Sequence, residues 1–312
     1  MLRGKRVVVT GGVGFIGSHL VERLAPSNDV VVLDNFVTGR LENLARARDR
    51  VEVVRGSILD SEVVARAFEG ADVVFHLAAL TSVPESIERP LPYLETNVAG
   101  TLHVLSEARS AGARRLVFAS TCAVYGRTSG SLGENTPPDP LSPYAVTKLA
   151  SEHLLRVGSG NGPETVALRL FNVYGPRQSP GSPYSSVVAR FIRCAADGAP
   201  LTLHGDGRQT RDFVYVADVA EGLDRAATAP GAGGGVFNIG SGRETSILEL
   251  IDAVRALAGS RLEVVRRPPR PGDVRKSRAD PRRAARRLGF RARTSLEKGL
   301  RKTLDAASVT SS

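Results

Sequence analysis

Residues that build metal centres, disulfide frameworks and base-stacking surfaces are scarce in this chain. Its 312 residues include 2 cysteines, 5 histidines and no tryptophan, and aromatic residues make up 5% of the total. The cysteines, Cys122 and Cys194, offer neither a zinc-ligand spacing nor a disulfide framework, and the histidines do not cluster along the chain. We therefore propose no metal site.

Long apolar runs are also missing. No stretch approaches the roughly 20 uninterrupted apolar residues that cross a bilayer. The N-terminus enters a strand-like run directly, without the pattern of a signal peptide. We expect a soluble cytoplasmic protein with no membrane partner.

Positive charge is in excess, but its distribution is uneven. Of the net charge of +10, the segment from Arg261 onward carries 16 Lys/Arg and 5 Asp/Glu, so the rest of the chain is close to neutral. That segment has one aromatic residue, Phe290, and so lacks a stacking surface for bases. We predict no nucleic-acid partner and interpret the segment as a solvated arginine-rich face; steering of an anionic substrate stays open as an alternative.

The first 25 residues follow the order strand, glycine-rich turn, helix. Residues 6–10 predict a buried parallel strand, and residues 18–25 an amphipathic helix. Between them, Gly11, Gly14 and Gly17 allow a tight turn, close approach of backbone amides to a pyrophosphate, and close helix-strand packing. The pattern predicts a dinucleotide site, with the spacing G-x-x-G-x-x-G rather than G-x-G-x-x-G.

A carboxylate follows the second predicted strand. Residues 30–33 form that strand and Asp34 ends it, about twenty residues after the glycine turn. A carboxylate there can accept hydrogen bonds from both ribose hydroxyls, whereas the 2′-phosphate of NADP would meet a like charge. The cofactor expected is therefore NAD.

Tyr144 and Lys148 form a Tyr-x-x-x-Lys pair after Pro143. On a helix this i,i+4 spacing places both side chains on one face. A nearby ammonium favours the phenolate, so we predict that Lys148 lowers the pKa of Tyr144 toward a value useful to a base at neutral pH.

Strand-like and helix-like segments alternate from residue 5 to about 170, which indicates a parallel, doubly wound α/β sheet of the Rossmann type. After Pro176 the composition shifts to Ser, Pro and Gly, which predicts a loop entering a smaller second lobe. Residues 231–235, a glycine run, are interpreted as a flexible turn. Strands are predicted at residues 6–10, 30–33, 51–55, 73–76, 116–119 and 165–170.

With these motifs in order, the chain resembles the extended short-chain dehydrogenase/reductase family, specifically its nucleotide-sugar epimerases and dehydratases, and most closely the UDP-hexose 4-epimerases. The resemblance implies an NAD-binding domain at 1–170, to which 212–242 partly returns, and a UDP-sugar-binding lobe at 171–312. It also implies a homodimer through helices at 96–111 and 144–156. Five landmarks carry it: residues 10–17, 75–79, 96–101, 120–126 and 169–176.

The same resemblance assigns further cofactor contacts. Ser57 stands where relatives usually have aspartate against the adenine, so one adenine contact is expected to be weaker. Besides Gly11, Gly14, Gly17, Asp34, Tyr144 and Lys148, the residues implied are Phe15, Ile16, Asn35, Thr38, Gly39, Ser57, Ile58, Leu77, Ala78, Ala79, Thr81, Thr96, Ser120 and Phe171.

Thr121 matches the Ser/Thr that, in this family, hydrogen-bonds the sugar hydroxyl and shares its proton with the tyrosine. Sugar 4,6-dehydratases carry acidic residues at the next two positions, where this chain has Cys122 and Ala123. Neutral side chains disfavour elimination, although a Cys122 thiolate would be able to act as a base.

The second lobe carries motifs that resemble those gripping UDP-sugars. Arg211 matches an arginine that forks onto the diphosphate, which suits an always charged, bidentate guanidinium. Ser277 matches a position that is small in relatives accepting N-acetylated sugars. The implied substrate contacts are Ser82, Thr121, Asn172, Ser186, Val187, Thr202, His204, Arg211, Arg270, Asp273 and Ser277.

The resemblance thus implies a UDP-hexose 4-epimerase, in which Tyr144 takes the C4 proton, NAD takes the C4 hydride, and a 4-keto sugar turns over before reduction. A dehydratase, a plain NAD-dependent reductase and a non-catalytic NAD-sensing scaffold remain alternatives. A UDP-glucuronate 4-epimerase is disfavoured, because those relatives offer threonine and a further arginine where this chain has Asn172 and Ser179.

Overall fold

The computed structural model describes residues 1–128, 130–179, 186–259, 262–269 and 274–309. Arg270 and Asp273, two of the implied substrate contacts, lie outside the described residues. The strands are β1 Arg6–Thr10, β2 Asp29–Asp34, β3 Val51–Arg55, β4 Val73–His76, β5 Arg115–Thr121, β6 Ser131–Leu132, β7 Glu164–Leu170, β8 Asn172–Tyr174, β9 Leu201–His204, β10 Thr210–Arg211, β11 Phe213–Tyr215, β12 Val236–Ile239, β13 Thr245–Ser246, β14 Val264–Arg267 and β15 Arg278–Ala279.

Helices alternate with these strands, and several begin at a side-chain cap. Asp60, Ser142 and Ser186 each accept hydrogen bonds from backbone amides of the first helical turn that follows them. Within the described residues no helix is long and apolar enough to cross a membrane. The helices are α1 Phe15–Leu24, α2 Ser61–Phe68, α3 Val83–Glu88, α4 Pro90–Leu94, α5 Gly100–Ser110, α6 Pro143–Gly158, α7 Val187–Asp197, α8 Val216–Thr228, α9 Ile247–Ala258, α10 Arg282–Leu288 and α11 Leu296–Val309.

Seven strands form one parallel sheet in the order β12-β7-β5-β4-β1-β2-β3. The order reverses between β1 and β4, so connections leave these two strands in opposite directions. A crevice opens outside the carboxyl ends of the strands at such a switch point, which is where ligands bind in open α/β sheets. The predicted Rossmann-type α/β fold is confirmed.

The predicted strands agree with the observed sheet, with two differences that bear on the site. Strand β5 extends to Thr121, so this hydroxyl lies on the sheet rather than after it. Helix α1 begins at Phe15, three residues before the predicted start at Ser18, because Gly14 is its extended N-terminal cap. The first helical turn is therefore part of the glycine turn itself.

Both faces of the sheet are buried, as expected for parallel strands covered by helices. Successive residues of β1 point to opposite faces: Val7 and Val9 pack in one core cluster, and Val8 packs in the other. Helices α1 and α8 cover the first face, and α2, α5 and α6 cover the second. The positions of the strand ends are thus held from both sides.

A smaller set of elements follows β7. Strands β9 and β14 pair in parallel, and α7, α9 and α11 share an apolar cluster with them. The intervening chain does not stay in this lobe, since β12 pairs along its length with β7 and α8 packs against α1. Residues from the late part of the chain therefore reach the main sheet.

Candidate active site

The glycine turn after β1 is too crowded for side chains. Gly11 has a φ of +72°, and a Cβ there would stand 2.7 Å from the Ala78 backbone nitrogen. A Cβ on Gly17 would overlap the Gly11 carbonyl oxygen. The backbone of the glycine turn therefore lies close to both the first turn of α1 and the segment after β4, and such close backbone packing suits a cradle for a pyrophosphate.

Asp34, at the end of β2, is bound to this turn. The Val13 N–H donates to Asp34 Oδ2 (3.1 Å), and the Phe36 N–H donates to Oδ1 (2.9 Å). Burial raises the pKa of the carboxyl, while these backbone donors oppose the rise. Each carboxylate oxygen retains acceptor capacity for a further donor.

Asn43 is a part of this turn that the sequence patterns missed. Its side-chain amide donates to the Val13 carbonyl (2.8 Å), which also accepts the Arg40 N–H (3.2 Å). Gly39 presses against the same Val13. The loop after β2 is thus fixed onto the glycine turn through a single carbonyl, a contact between distant residues that no local spacing reveals.

The other implied cofactor contacts after β2 and β3 lie partly at the surface and partly in the core. Asn35 and Thr38 are exposed, whereas Ile58 is buried against Gly100. The Ser57 hydroxyl accepts the Leu59 N–H (3.2 Å), so it shapes the turn that carries Ile58.

A buried hydrogen-bonded chain crosses the sheet at His76, the last residue of β4. The Thr101 hydroxyl donates to the Asn97 carbonyl (2.5 Å), so His76 Nε2 must donate to Thr101 Oγ1 (3.0 Å). His76 Nδ1 then accepts the Thr10 hydroxyl hydrogen (2.8 Å), and Thr10 Oγ1 accepts the Ala78 N–H (3.3 Å). Burial, with the charge of Lys148, lowers the pKa of His76 to about 3. The ring is neutral and holds the segment that faces the glycine turn.

Asn97 fixes the other end of that segment. Its side chain accepts the Leu80 N–H (2.9 Å) and donates to the Leu80 carbonyl (3.0 Å) and to Thr147 Oγ1 (3.1 Å). The segment from Leu77 to Leu80 is thereby tied to α6. Of the neighbouring predicted contacts, Thr81 is exposed, Thr96 lies half-buried in a π-helical turn, and Ser82 caps α3.

Thr121, Tyr144 and Lys148 come together at the carboxyl end of β5. All three are at least nine-tenths buried, and the Thr121 hydroxyl is close enough to the Tyr144 phenol to act on its pKa. Thr121 Oγ1 also accepts the Ala123 N–H (3.1 Å). The Lys148 ammonium lies 4.2 Å from the centre of the Phe118 ring, on the same face of α6 as Tyr144.

The predicted lowering of the Tyr144 pKa is wrong in sign. Burial raises the pKa of Tyr144 to about 12, and the opposing influence on this pKa comes from the Thr121 hydroxyl rather than from Lys148. Burial also lowers the pKa of Lys148 to about 7, so near neutral pH this side chain is divided between its two charge states. Burial raises the pKa of Cys122 to about 12, which argues against a Cys122 thiolate acting as a base.

An ion pair beneath these residues was not foreseen. Glu152, one turn after Lys148, binds Arg169 through two nitrogen atoms (Nε 3.0 Å, Nη2 2.7 Å). Ser120, predicted as a cofactor contact, donates its hydroxyl to Glu152 Oε1 (2.5 Å). Arg169 stacks over the Tyr125 ring at 4.8 Å, and Phe171 packs against the same ring.

Asp212 organises the opposite wall. Its carboxylate accepts the Ser241 N–H (2.7 Å), the Gly242 N–H (2.8 Å) and the Ala279 N–H (3.0 Å), so two separate segments converge on one buried side chain. Its own carbonyl accepts the Asn172 N–H (3.0 Å). The neighbouring Arg211 donates to the Val274 carbonyl (2.6 Å), and its charge acts on the Cys122 thiol.

Arg211 and Asn172, the two described candidates for the diphosphate, are thus joined through Asp212, and Arg211 lies near Cys122. Ser277 is buried two residues before the Ala279 amide bound by Asp212. The remaining candidates are farther along the small lobe: Thr202 and His204 on β9, Ser186 at the cap of α7, and Val187 in that helix.

Comparison of the chain with known proteins agrees with a dinucleotide site at the glycine turn. The family model described as "NAD dependent epimerase/dehydratase family" matches residues 7–240. The chain belongs to this family. It is therefore an NAD-dependent enzyme of the epimerase/dehydratase type, and the glycine cradle with Asp34 at its rim fits that cofactor.

Individual relatives cover almost the whole chain. A UDP-glucose 4-epimerase of Mycolicibacterium smegmatis is 40% identical over 96% of this chain and 97% of its own length. The UDP-glucose 4-epimerase of Thermus thermophilus, solved in complex with NAD, is 42% identical over 96% and 98%, with a TM-score of 0.88. A UDP-N-acetylglucosamine 4-epimerase of Methanobrevibacter ruminantium M1, in complex with UDP-N-acetylmuramic acid, is 34% identical over 99% and 100%, with a TM-score of 0.95.

Proposed function

We propose that the chain inverts C4 of a UDP-hexose, either UDP-glucose/UDP-galactose or UDP-N-acetylglucosamine/UDP-N-acetylgalactosamine. The observation that carries the proposal is the buried group of Thr121, Tyr144 and Lys148 beside two neutral side chains, Cys122 and Ala123. Such a site can move one proton reversibly but offers no carboxylate for elimination.

In this mechanism the chain handles the proton and the binding. The Tyr144 oxygen accepts the proton of the sugar C4 hydroxyl, and the Thr121 hydroxyl, able to donate and accept, bridges the two oxygens. Because burial opposes the phenolate, the positive charge of Lys148 is needed at the moment of transfer. Bound NAD supplies a reversible acceptor for the C4 hydride.

Inversion requires the sugar to present both faces while its nucleotide stays bound. Arg211 and Asn172 are suited to hold the diphosphate, since guanidinium and amide donors match phosphate oxygens. The hexose itself would be held more loosely, so that the 4-keto sugar turns about the diphosphate linkage. Return of the hydride to the opposite face of C4, together with return of the proton from Tyr144 to the C4 oxygen, would complete the cycle without net oxidation.

The small side chain of Ser277 supports N-acetylated as well as plain hexoses, because a hydroxymethyl group leaves room for an acetamido group. A UDP-glucuronate 4-epimerase is the second candidate of the same reaction type.

We also propose that the chain is divided into a cofactor domain, residues 1–170 with the return at 212–242, and a substrate lobe, residues 171–312.

A homodimer is proposed through the surface of α5 and α6. Leu102 and Val146, at the solvent side of these helices, are 43% and 51% exposed, and Leu91 and Leu94 on the adjoining α4 are 68% and 53% exposed. A cluster of large exposed apolar side chains is typical of a surface that another protein covers.

The test is to incubate the purified protein, without added cofactor, with each UDP-hexose and UDP-hexuronate, and to separate the C4 epimers. We expect interconversion of at least one UDP-hexose pair and its loss in Tyr144→Phe. Absence of any epimer, or equal rates for Tyr144→Phe and the wild type, would refute the proposal. A 4-keto-6-deoxy product would indicate a dehydratase, and stoichiometric use of cofactor a reductase.

A further inference from the structure

Two adjoining cavities, of about 520 and 390 Å³, lie along the outer edge of the sheet beside β12. Neither is lined by Thr121, Tyr144 or Lys148. We call the pair the arginine groove. Its walls are the glycine run 231–235 on one side and Arg283, Arg286 and Arg287 of α10 on the other, with Glu134, Asp280 and Arg282 at the far end, in the smaller cavity.

The groove follows from how α10 sits on the sheet. The sequence of α10, Arg282–Leu288, buries Ala284 and Leu288 beneath the helix and leaves its arginines around the outside. Arg287 Nη2 donates to the Gly231 carbonyl (2.6 Å). The Arg283 guanidinium lies 5.3 Å from the centre of the buried Phe237 ring. Two of the three guanidinium groups are therefore held in place before any ligand arrives.

The charges in the larger cavity are not balanced by paired carboxylates. Among the described residues, no carboxylate lies within ion-pair distance of Arg283, Arg286 or Arg287. Arg282, by contrast, is paired with Asp280 at 2.6 Å, and Arg286 acts on that carboxylate only through its longer-range charge. Three like charges around one cavity repel one another, and an anion placed between them would convert that repulsion into attraction.

We propose that the arginine groove binds a small polyanion carrying two or more phosphate groups. Guanidinium binds phosphate oxygens in bidentate fashion, and held guanidinium groups lose little freedom on binding. The cavity volume lies in the range of small-molecule sites, about 300–1,000 Å³. A nucleic-acid strand fits less well, because Phe237 is buried under Arg283 and offers no face for stacking.

The groove is distinct from the diphosphate contacts of the proposed reaction. Residues 231–235 precede β12 and so lie at the amino end of that strand, whereas Thr121 ends β5 at its carboxyl end. Arg211 does not line either cavity. Binding in the groove does not depend on the proposed epimerase activity.

Isothermal titration of the full chain with tripolyphosphate, at constant ionic strength, tests the proposal. The groove variant Arg283→Gln/Arg286→Gln is expected to bind at least tenfold more weakly than the wild type. A control variant, Arg291→Gln/Arg293→Gln, removes the same charge from exposed positions outside the groove and is expected to stay within twofold. Equal weakening by both variants would mean non-specific attraction and would overturn the proposal.

Two further variants locate the bound phosphate. Arg286→Gln alone changes an exposed side chain, so it should fold normally and still weaken binding at least threefold; an unchanged affinity would refute the groove. Arg211→Gln removes the proposed diphosphate contact of the active site and should leave tripolyphosphate binding within twofold. Loss of binding in Arg211→Gln would place the phosphate in the active site and would also overturn the proposal.

Discussion

Glu152→Gln should destabilise the protein strongly, because it breaks the buried ion pair with Arg169, beneath Tyr144 and Lys148. The side chains of Glu152 and Arg169 are 4% and 6% exposed, so water cannot replace the lost carboxylate. Removing one partner of a buried pair leaves an uncompensated charge and costs about 3–5 kcal/mol. The substituted glutamine would also direct an amide toward Arg169 or Ser120, both of which are donors to the present carboxylate.

The assay is urea unfolding followed by circular dichroism, with Glu297→Gln as the matched control. Glu297 pairs with Arg301 on the surface of α11, where both side chains are more than half exposed. The control should cost less than about 1 kcal/mol. A second control, Glu152→Leu/Arg169→Met, removes both charges and should recover much of the loss.

Activity provides an independent readout of the same change. Burial lowers the pKa of Lys148 to about 7, and Glu152 is the charge that opposes this lowering. Glu152→Gln should therefore deprotonate Lys148 at lower pH and reduce kcat more at pH 8 than at pH 6. If Glu152→Gln and Glu297→Gln unfold at the same urea concentration, solvent reaches the pair and our reasoning on burial is wrong.

Three further predictions concern acid stability, substrate size and assembly. The pKa of His76 is about 3 in the folded protein, against an ordinary 6.5, so unfolding below pH 6.5 is accompanied by proton uptake. The free energy of unfolding should therefore fall by about 2 kcal/mol between pH 7 and 5. In His76→Gln this fall should be absent, and an unchanged dependence of urea stability on pH in that variant would contradict the prediction. Ser277→Tyr should reduce turnover of N-acetylated UDP-hexoses more than of plain ones; equal reduction would remove the pocket-size argument. Leu102→Glu should halve the mass measured by sedimentation, whereas a wild-type monomer would refute the proposed dimer.

The main sheet and the central site residues were accessible from the sequence because their signals are local. Apolar runs between turn residues predicted β1 to β5 and β7, and the i,i+4 spacing placed Tyr144 and Lys148 on one face of α6. The short strands after β7, such as β10 and β13 with two residues each, carry too little periodicity to be predicted.

The supporting contacts were missed because they join distant residues. His76 bonds Thr10 across 66 positions, and Asp212 gathers amides from two later segments. The sign of the Tyr144 pKa was wrong for a different reason: the spacing showed the neighbouring charge but not the depth of burial, and burial was the larger effect.

The position of β12 has a consequence for synthesis of the chain. In the sheet, β7 lies between β5 and β12. Until residue 239 has left the ribosome, β7 is therefore an edge strand that pairs with β5 on one side only. Unpaired strand edges recruit other chains, and a nascent fragment of the first 170 residues would present one whose residues are almost all buried in the folded protein. Pairing of the late strand β12 with β7 therefore covers this edge, and we expect the nascent protein to be most prone to aggregation until that pairing has formed.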